Sequence, residues 1–194
     1  MKLFIKFDTI GISGKKGENM KKLIVLLAVF LLVGWEQYGQ TEAAKPMTDV
    51  QRAGKLWTMI QKEDYRNTWK MWPGKEAFYK GSHPHGALLT TYVNESAHDA
   101  IVNKKGSLPD GAIIIKENYM PDKKLGAITV LKKKAGYNPD AGDYFWVKFG
   151  GDGSVLTKKM DDGSELSLAG KVPGCIGCHS AVKVNDFLFT GPIK

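Results

Sequence analysis

Cysteine is scarce in this chain, which contains two cysteines and four histidines among its 194 residues. Both cysteines lie in one short segment near the C-terminus, Gly174–His179, whose sequence is GCIGCH. The chain also lacks a basic stripe interleaved with aromatic residues, so its net charge of +8 does not indicate a nucleic acid as a partner. The composition is that of an ordinary globular protein, which argues against a disordered chain.

The apolar run near the N-terminus is short. LIVLLAVFLLVGW comprises thirteen residues, which is fewer than a comfortable membrane span requires. The run follows the basic segment Met20–Lys22 and precedes small residues at Ala43 and Ala44, which is the pattern of a cleaved signal peptide. An uncleaved membrane anchor is the alternative, and the absence of a cysteine after the run argues against a lipoprotein.

The residues before Met20 do not fit a signal peptide, which normally begins at its own methionine. The segment GKKGEN resembles a ribosome-binding site that has been translated by mistake. We therefore predict a mis-assigned start over residues 1–19, a signal peptide over 20–44 and an exported, periplasmic domain over 45–194.

The exported part shows signals of short strands between helices. Thr48 can cap a helix whose apolar residues recur at helical spacing, and segments rich in β-forming residues follow between turns such as GSLPDG. Helices are predicted over about 49–63 and 95–104, strands over 87–93, 112–118, 127–131 and 144–149, a strand pairing back at 155–157, and a long loop over 69–86. This order predicts one α+β domain, mainly an antiparallel β-sheet with flanking helices.

The GCIGCH segment has three interpretations. A thioredoxin-like redox pair requires the two cysteines at the start of a helix in a βαβ unit, whereas here the motif comes after all the predicted strands. A zinc site could combine Cys175 and Cys178 with His83 and His85, but it would leave His179 without a role.

A c-type haem uses every residue of the motif. Thiols at positions i and i+3 attach to the two vinyl groups of one porphyrin, and the next residue, His179, binds the iron. Attachment of this kind takes place outside the cytoplasm, in agreement with a signal peptide. We therefore favour one covalently attached haem c near the C-terminus, held by Cys175 and Cys178, with His179 as the proximal iron ligand.

No methionine or histidine follows His179, so a sixth iron ligand would have to come from upstream. The candidates are His83, His85, His98, Met120 and Met160, and none lies in an evident ligand motif. We therefore expect a five-coordinate iron with an open distal side that binds small molecules such as nitric oxide, carbon monoxide or hydroxylamine.

Four segments give the chain a resemblance to the cytochrome P460 / cytochrome c′-beta family over about residues 80–190: HGALLTTYVN, LPDGAIIIKENY, YNPDAGDYFWVKF and GCIGCHSAVKVNDFLFT. The resemblance implies an antiparallel sheet, a homodimer and a five-coordinate haem c. Members of the P460 type oxidise hydroxylamine or react with nitric oxide, and electrons leave to a soluble acceptor such as a cytochrome c. Members of the c′-beta type bind nitric oxide and carbon monoxide without an established turnover.

The resemblance also suggests a role for Lys116. In P460 members a lysine at the matching position is bonded to the porphyrin edge, which makes Lys116 the candidate for such a cross-link. The alternation of a β-strand places Lys116 on one face with Ile114 and Asn118. From the residues alone, an ordinary exposed lysine is the competing interpretation.

The distal side departs from the family pattern. Hydroxylamine-oxidising members carry an arginine and an acidic residue there, and the matching positions in this chain are Leu89 and Ile128 or Thr129. An apolar lining suits the binding of diatomic gases and leaves hydroxylamine oxidation without a proton acceptor. His85 precedes the strand and could supply a proton relay or a sixth ligand, or it could be a loop histidine bonded to backbone. An oxidoreductase, a gas-binding protein and an electron carrier therefore remain as functional hypotheses.

Overall fold

The computed structural model describes residues 45–194, so the predicted mis-assigned start and signal peptide lie outside the described residues. Between residues 45 and 194 no helix is long and apolar enough to cross a membrane. The helices are α1 (Asp49–Lys62), α2 (Tyr65–Thr68), α3 (Glu95–Val102) and α4 (Pro173–His179), with 3₁₀ turns at Pro139–Ala141 and Ser180–Asn185.

The strands of residues 45–194 form one large antiparallel sheet and a separate hairpin. They are β1 (Lys70–Met71), β2 (Tyr79–Lys80), β3 (Leu88–Val93), β4 (Ile113–Tyr119), β5 (Leu125–Lys133), β6 (Tyr144–Phe149), β7 (Thr157–Lys159), β8 (Glu165–Ser167) and β9 (Ala169–Gly170). The large sheet has the order β1-β3-β4-β5-β6-β9, with β2 also paired to β3, and β7 pairs with β8. The chain is therefore an α+β domain with a mainly antiparallel sheet, as predicted.

Helix α1 covers one face of the sheet. It begins with a capping box, in which the Thr48 hydroxyl accepts from the Gln51 backbone and the Gln51 side chain accepts from the Thr48 backbone. Its buried residues Ala53, Leu56 and Ile60 pack on the sheet in a cluster that includes Ile113, Ile115, Ile128, Val130 and Phe149. Burial of apolar surface at about 25 cal/mol per Å² holds this layer in place.

The second face of the sheet packs against helix α3 and the C-terminal segment. Its cluster contains Val93, Ile114 and Trp146 from the sheet, together with Phe187 and Leu188 from beyond helix α4. Because both faces are covered, β4 begins with Ile-Ile-Ile instead of alternating apolar and polar residues.

Two segments differ from the sequence predictions. The predicted loop over 69–86 contains β1 and β2, which are two-residue strands that form by pairing with β3. The predicted strand at 155–157 pairs back only through Val155, opposite Phe149, and the chain then enters the β7–β8 hairpin. Such short strands carry no repeating pattern, because their positions are decided by the neighbouring strand.

Candidate functional site

A cavity of about 770 Å³ lies on the face of the sheet opposite α1, within the size range of cofactor and ligand sites. Its floor is formed by side chains of β3–β6, and its walls come from the loop before β3, helix α4 and the C-terminal segment. The lining residues include His85, Leu89, Ile114, Lys116, Thr129, Leu131, Trp146, Leu168, Cys175, Cys178, His179, Leu188 and Phe189. The cavity therefore brings the C-terminal motif together with residues from the middle of the chain.

Helix α4 carries the complete CxxCH motif. Pro173 begins the helix, where its missing N–H group costs no hydrogen bond. Spacing of three residues places Cys175 and Cys178 on the same side of the helix, and both are free thiols that line the cavity. Burial raises the pKa of the Cys175 thiol. The motif therefore presents two thiols and one imidazole to one space.

His179 is buried and its orientation is fixed. Its Nδ1 lies 2.6 Å from the carbonyl oxygen of Phe187, so Nδ1 carries the proton and donates it, which leaves Nε2 free to bind a metal. The ring lies between the Trp146 ring, at 4.6 Å between centroids, and the Phe189 ring, at 5.2 Å. Burial lowers the pKa of His179, which favours the neutral imidazole that metals require.

The carbonyl that orients His179 is held by a buried ionic cluster. Asp186 and Phe187 both have positive φ angles, of 51° and 62°, which are uncommon for residues other than glycine. The Asp186 carboxylate accepts from Lys133 Nζ at 2.7 Å and from the Tyr144 hydroxyl at 2.6 Å. Sequence analysis missed this role of Asp186, because a single acidic residue in a turn carries no signal of what its carboxylate contacts.

His85 enters the cavity from the loop between β2 and β3 and faces His179. The centroids of the two imidazole rings lie 6.3 Å apart, with their planes at 87°. Nδ1 of His85 lies 3.1 Å from the side-chain oxygen of Asn118. The Asn118 amide nitrogen donates to the carbonyl oxygens of Lys116 and Ala127, so its oxygen must be the group that faces His85. Nδ1 of His85 therefore donates, and Nε2 carries the free lone pair.

The electrostatics of the cavity keep His85 neutral. Burial and the nearby Lys116 charge lower the pKa of His85 to about 4. Burial also lowers the pKa of Lys116 to about 8, and Lys116 makes no ion pair within residues 45–194. The lysine that sequence analysis singled out thus faces the cavity and is not an ordinary exposed lysine.

The two predicted distal residues lie on opposite faces of the sheet. Leu89 lines the cavity, but Ile128 is fully buried in the cluster beneath α1, so its assignment to the distal pocket is wrong. Thr129 faces the cavity instead, because it pairs directly with Lys116 across β4 and β5 and side chains of paired residues share a face.

The zinc hypothesis gains no support from the positions of its ligands. Over residues 45–194 no three His, Cys, Asp or Glu side chains lie close enough to hold a metal ion. The strands of the large sheet pair only in antiparallel fashion, so the βαβ unit of a thioredoxin-like redox pair is not formed by residues 45–194. Haem c is the interpretation of the motif that remains.

The cavity fits a haem c by its donors and its walls. Two free thiols and an imidazole with an available Nε2 line one side, in the order that covalent attachment and iron binding require. Apolar side chains of Ile114, Leu131, Leu168 and Leu188 line the rest, as an apolar macrocycle needs. Met160 also reaches the cavity, whereas Met120 is exposed and does not line it.

The fold and the site define a class of protein, an antiparallel α+β domain with a cavity whose lining and CxxCH motif fit a haem c. The chain belongs to the cytochrome P460 family, because the family model described as Cytochrome P460 matches residues 57–190. It is therefore a haem c protein of the cytochrome P460 type. The chain has no match among curated proteins.

Proposed function

We propose that this protein is an oxidoreductase that oxidises hydroxylamine, or converts nitric oxide, and passes the electrons to a soluble acceptor. The observation that supports the proposal is the position of His85, whose neutral imidazole faces His179 across the cavity. When bound, the haem supplies an iron that takes the substrate nitrogen and accepts its electrons. Oxidation of hydroxylamine also releases protons, and the distal side of the cavity therefore needs a proton acceptor.

The residues of the cavity have separate roles in this reaction. Cys175 and Cys178 would hold the haem covalently, and His179 would bind its iron through Nε2. His85 accepts a proton at Nε2, and the resulting imidazolium keeps its Nδ1–H bond to Asn118. Burial lowers the pKa of His85, so its imidazole is neutral at neutral pH and Nε2 has the lone pair that a proton acceptor needs.

A second candidate function is the reversible binding of nitric oxide or carbon monoxide without turnover. The buried Leu89 side chain favours it, because this apolar group occupies the wall where hydroxylamine-oxidising relatives are expected to carry a charged residue. An apolar wall accepts a diatomic gas and gives no help in removing protons from a substrate.

The electron acceptor is proposed to be acidic. Four lysines line the cavity together with Lys116, and no Asp or Glu does so within residues 45–194: they are Lys75, Lys80, Lys148 and Lys158. A rim of one charge attracts a partner of the opposite charge and raises the rate of encounter. Export to the periplasm and assembly as a homodimer also belong to the proposal, and equilibrium sedimentation of the purified protein tests the latter.

The function is tested by following hydroxylamine-dependent reduction of a soluble acidic cytochrome c by the purified holoprotein. We expect turnover by the wild type, a rate that falls as ionic strength rises, and a loss of about 100-fold in kcat for His85→Gln. His83→Gln is the matched control, since His83 is an exposed residue of the same loop. Tight binding of nitric oxide without hydroxylamine turnover would instead establish the gas-binding function.

Lys116 is expected to be bonded to the haem edge, as the resemblance to P460 members implies. Its location in the cavity and its lowered pKa of about 8 both support this, because a neutral amine is the reactive form. Digestion of the wild type should yield a haem peptide that contains the Lys116 segment in addition to Cys175 and Cys178. The ferrous Soret band should lie at a longer wavelength than in Lys116→Ala. Lys148→Ala, at another cavity lysine, should leave both properties unchanged; a Lys116→Ala protein identical to the wild type in both contradicts the bond.

A further inference from the structure

The imidazoles of His85 and His179 approach each other in the cavity, with their planes nearly perpendicular. His85 comes from the loop between β2 and β3, and His179 comes from α4, so two separate elements bring them to opposite walls. Their ring centroids are 6.3 Å apart. Where the Nε2 atoms of two rings bind one metal ion from opposite sides, two metal–nitrogen bonds of about 2.0–2.1 Å each, together with the half-widths of the rings, give a separation of this size. The space between the rings therefore suits one metal ion bound by both.

The hydrogen bonds of the two rings are also equivalent. Nδ1 of His179 donates to the Phe187 carbonyl at 2.6 Å, and Nδ1 of His85 donates to the Asn118 amide oxygen at 3.1 Å. Metal-bound histidines commonly donate their second N–H group to a carbonyl or carboxylate oxygen, which fixes the tautomer and the direction of the ring. In both residues this leaves Nε2 with its lone pair, which is the atom that would bind iron.

The loop that carries His85 is held in place by close backbone contacts. The Gly81 amide donates to the Ala87 carbonyl at 2.8 Å, and a Cβ atom added to Gly81 would lie 2.0 Å from the Gly86 carbonyl oxygen. A Cβ atom added to Gly86 would meet the Tyr119 backbone at 2.5 Å. Only glycine fits at both positions, so the loop keeps a defined path over the sheet and holds His85 where it faces His179.

We propose that His85 is the second axial ligand of the haem iron in the resting protein, and that a small molecule binds only after His85 has been released. The proposal departs from the five-coordinate iron that the resemblance implies. It rests on the proposed function in one respect, since release of His85 opens the reaction site and leaves its imidazole beside the substrate. The bond that breaks is the one from His85 Nε2 to iron, and the bond that forms is the one from the substrate to iron, with no change in electron count.

Absorption and electron paramagnetic resonance spectra of the purified holoprotein test this assignment without any activity measurement. We expect low-spin, six-coordinate spectra for the wild type and for His83→Ala, the matched control from the same loop. His85→Ala should give a high-spin spectrum, and added imidazole should restore the low-spin form. A circular dichroism spectrum equal to that of the wild type shows that the variant has retained its fold. A high-spin wild type, or a low-spin spectrum that persists in His85→Ala, overturns the proposal; loss of the low-spin form in Met160→Ala would then identify Met160 as the ligand.

Carbon monoxide binding to the ferrous protein provides an independent measurement. In the wild type the observed rate should level off at high carbon monoxide concentration, because release of His85 becomes limiting. In His85→Ala the rate should stay linear and be at least about 10-fold faster. A linear rate in the wild type, equal to that of the variant, contradicts the proposal. A low-spin wild type that shows no hydroxylamine turnover supports the His85 ligand and refutes the proposed function, so the two failures are distinguishable.

Discussion

Substitution of His179 by alanine is expected to abolish hydroxylamine-dependent reduction of the acceptor, with a loss of at least about 100-fold. His179 is the only group of α4 that offers a free imidazole nitrogen to the cavity, and its orientation is fixed by the Phe187 carbonyl. Loss of a residue that only supports a metal ligand typically costs 10–100-fold, and loss of the ligand itself costs more. The measurement is the rate of cytochrome c reduction together with the ferrous absorption spectrum.

The same variant separates attachment of the haem from binding of its iron. Cys175 and Cys178 are unchanged in His179→Ala, so the mass of the denatured protein should still include the haem while the axial-ligand spectrum is altered. His98→Ala is the matched control, because His98 lies on α3 and does not line the cavity. An unaltered spectrum in His179→Ala would contradict the assignment of the proximal ligand.

Removal of the Glu117 carboxylate is expected to lower the free energy of unfolding more than removal of any exposed ion pair. Glu117 lies on the face of β4 opposite the haem cavity and is 1% exposed. Its carboxylate accepts from the hydroxyls of Tyr65 at 2.7 Å and Tyr119 at 2.6 Å, and Arg66 Nη2 lies 2.6 Å from the same carboxylate. The Glu117→Ala variant leaves two phenolic hydroxyls and a guanidinium without their acceptor, so the cost is that of breaking a buried ion pair.

We expect Glu117→Ala to lower the free energy of unfolding by about 3 kcal/mol, at the low end for a buried pair because the Arg66 side chain is 44% exposed. Urea unfolding followed by circular dichroism measures it. Lys105→Ala, which breaks the exposed pair with Asp99, is the control and should cost no more than about 1 kcal/mol. The haem spectrum of Glu117→Ala should equal that of the wild type, since the sheet separates the two sites. A loss below about 1 kcal/mol would show that the carboxylate contributes little net stability.

The strands β4 and β5 show which side-chain directions can be predicted from the sequence of a single strand. The alternation of side chains along a strand correctly placed Ile114, Lys116 and Asn118 on one face, and the structure adds that this face lines the cavity. On β5 the same alternation places Ile128 and Thr129 on opposite faces, but it does not show which of the two faces the cavity, because apolar residues occur on both faces of this strand. The choice depends on the pairing of Lys116 with Thr129, which is a relation between two strands and is absent from either sequence segment alone.

Features that depend only on residues close together in the chain were determined by the sequence itself. The spacing of Cys175, Cys178 and His179 places two thiols and an imidazole together, because residues three and four apart on a helix lie on one side of it whatever surrounds them. The approach of His85 to His179 was decided only by tertiary structure. His85 and His179 lie far apart in the chain, and their rings come within 6.3 Å because β2, β3 and α4 converge on one cavity. The carboxylate of Asp186 likewise acquires its role only through contacts with residues from distant strands, since hydrogen bonds and packing across a fold depend on distances that no local pattern contains.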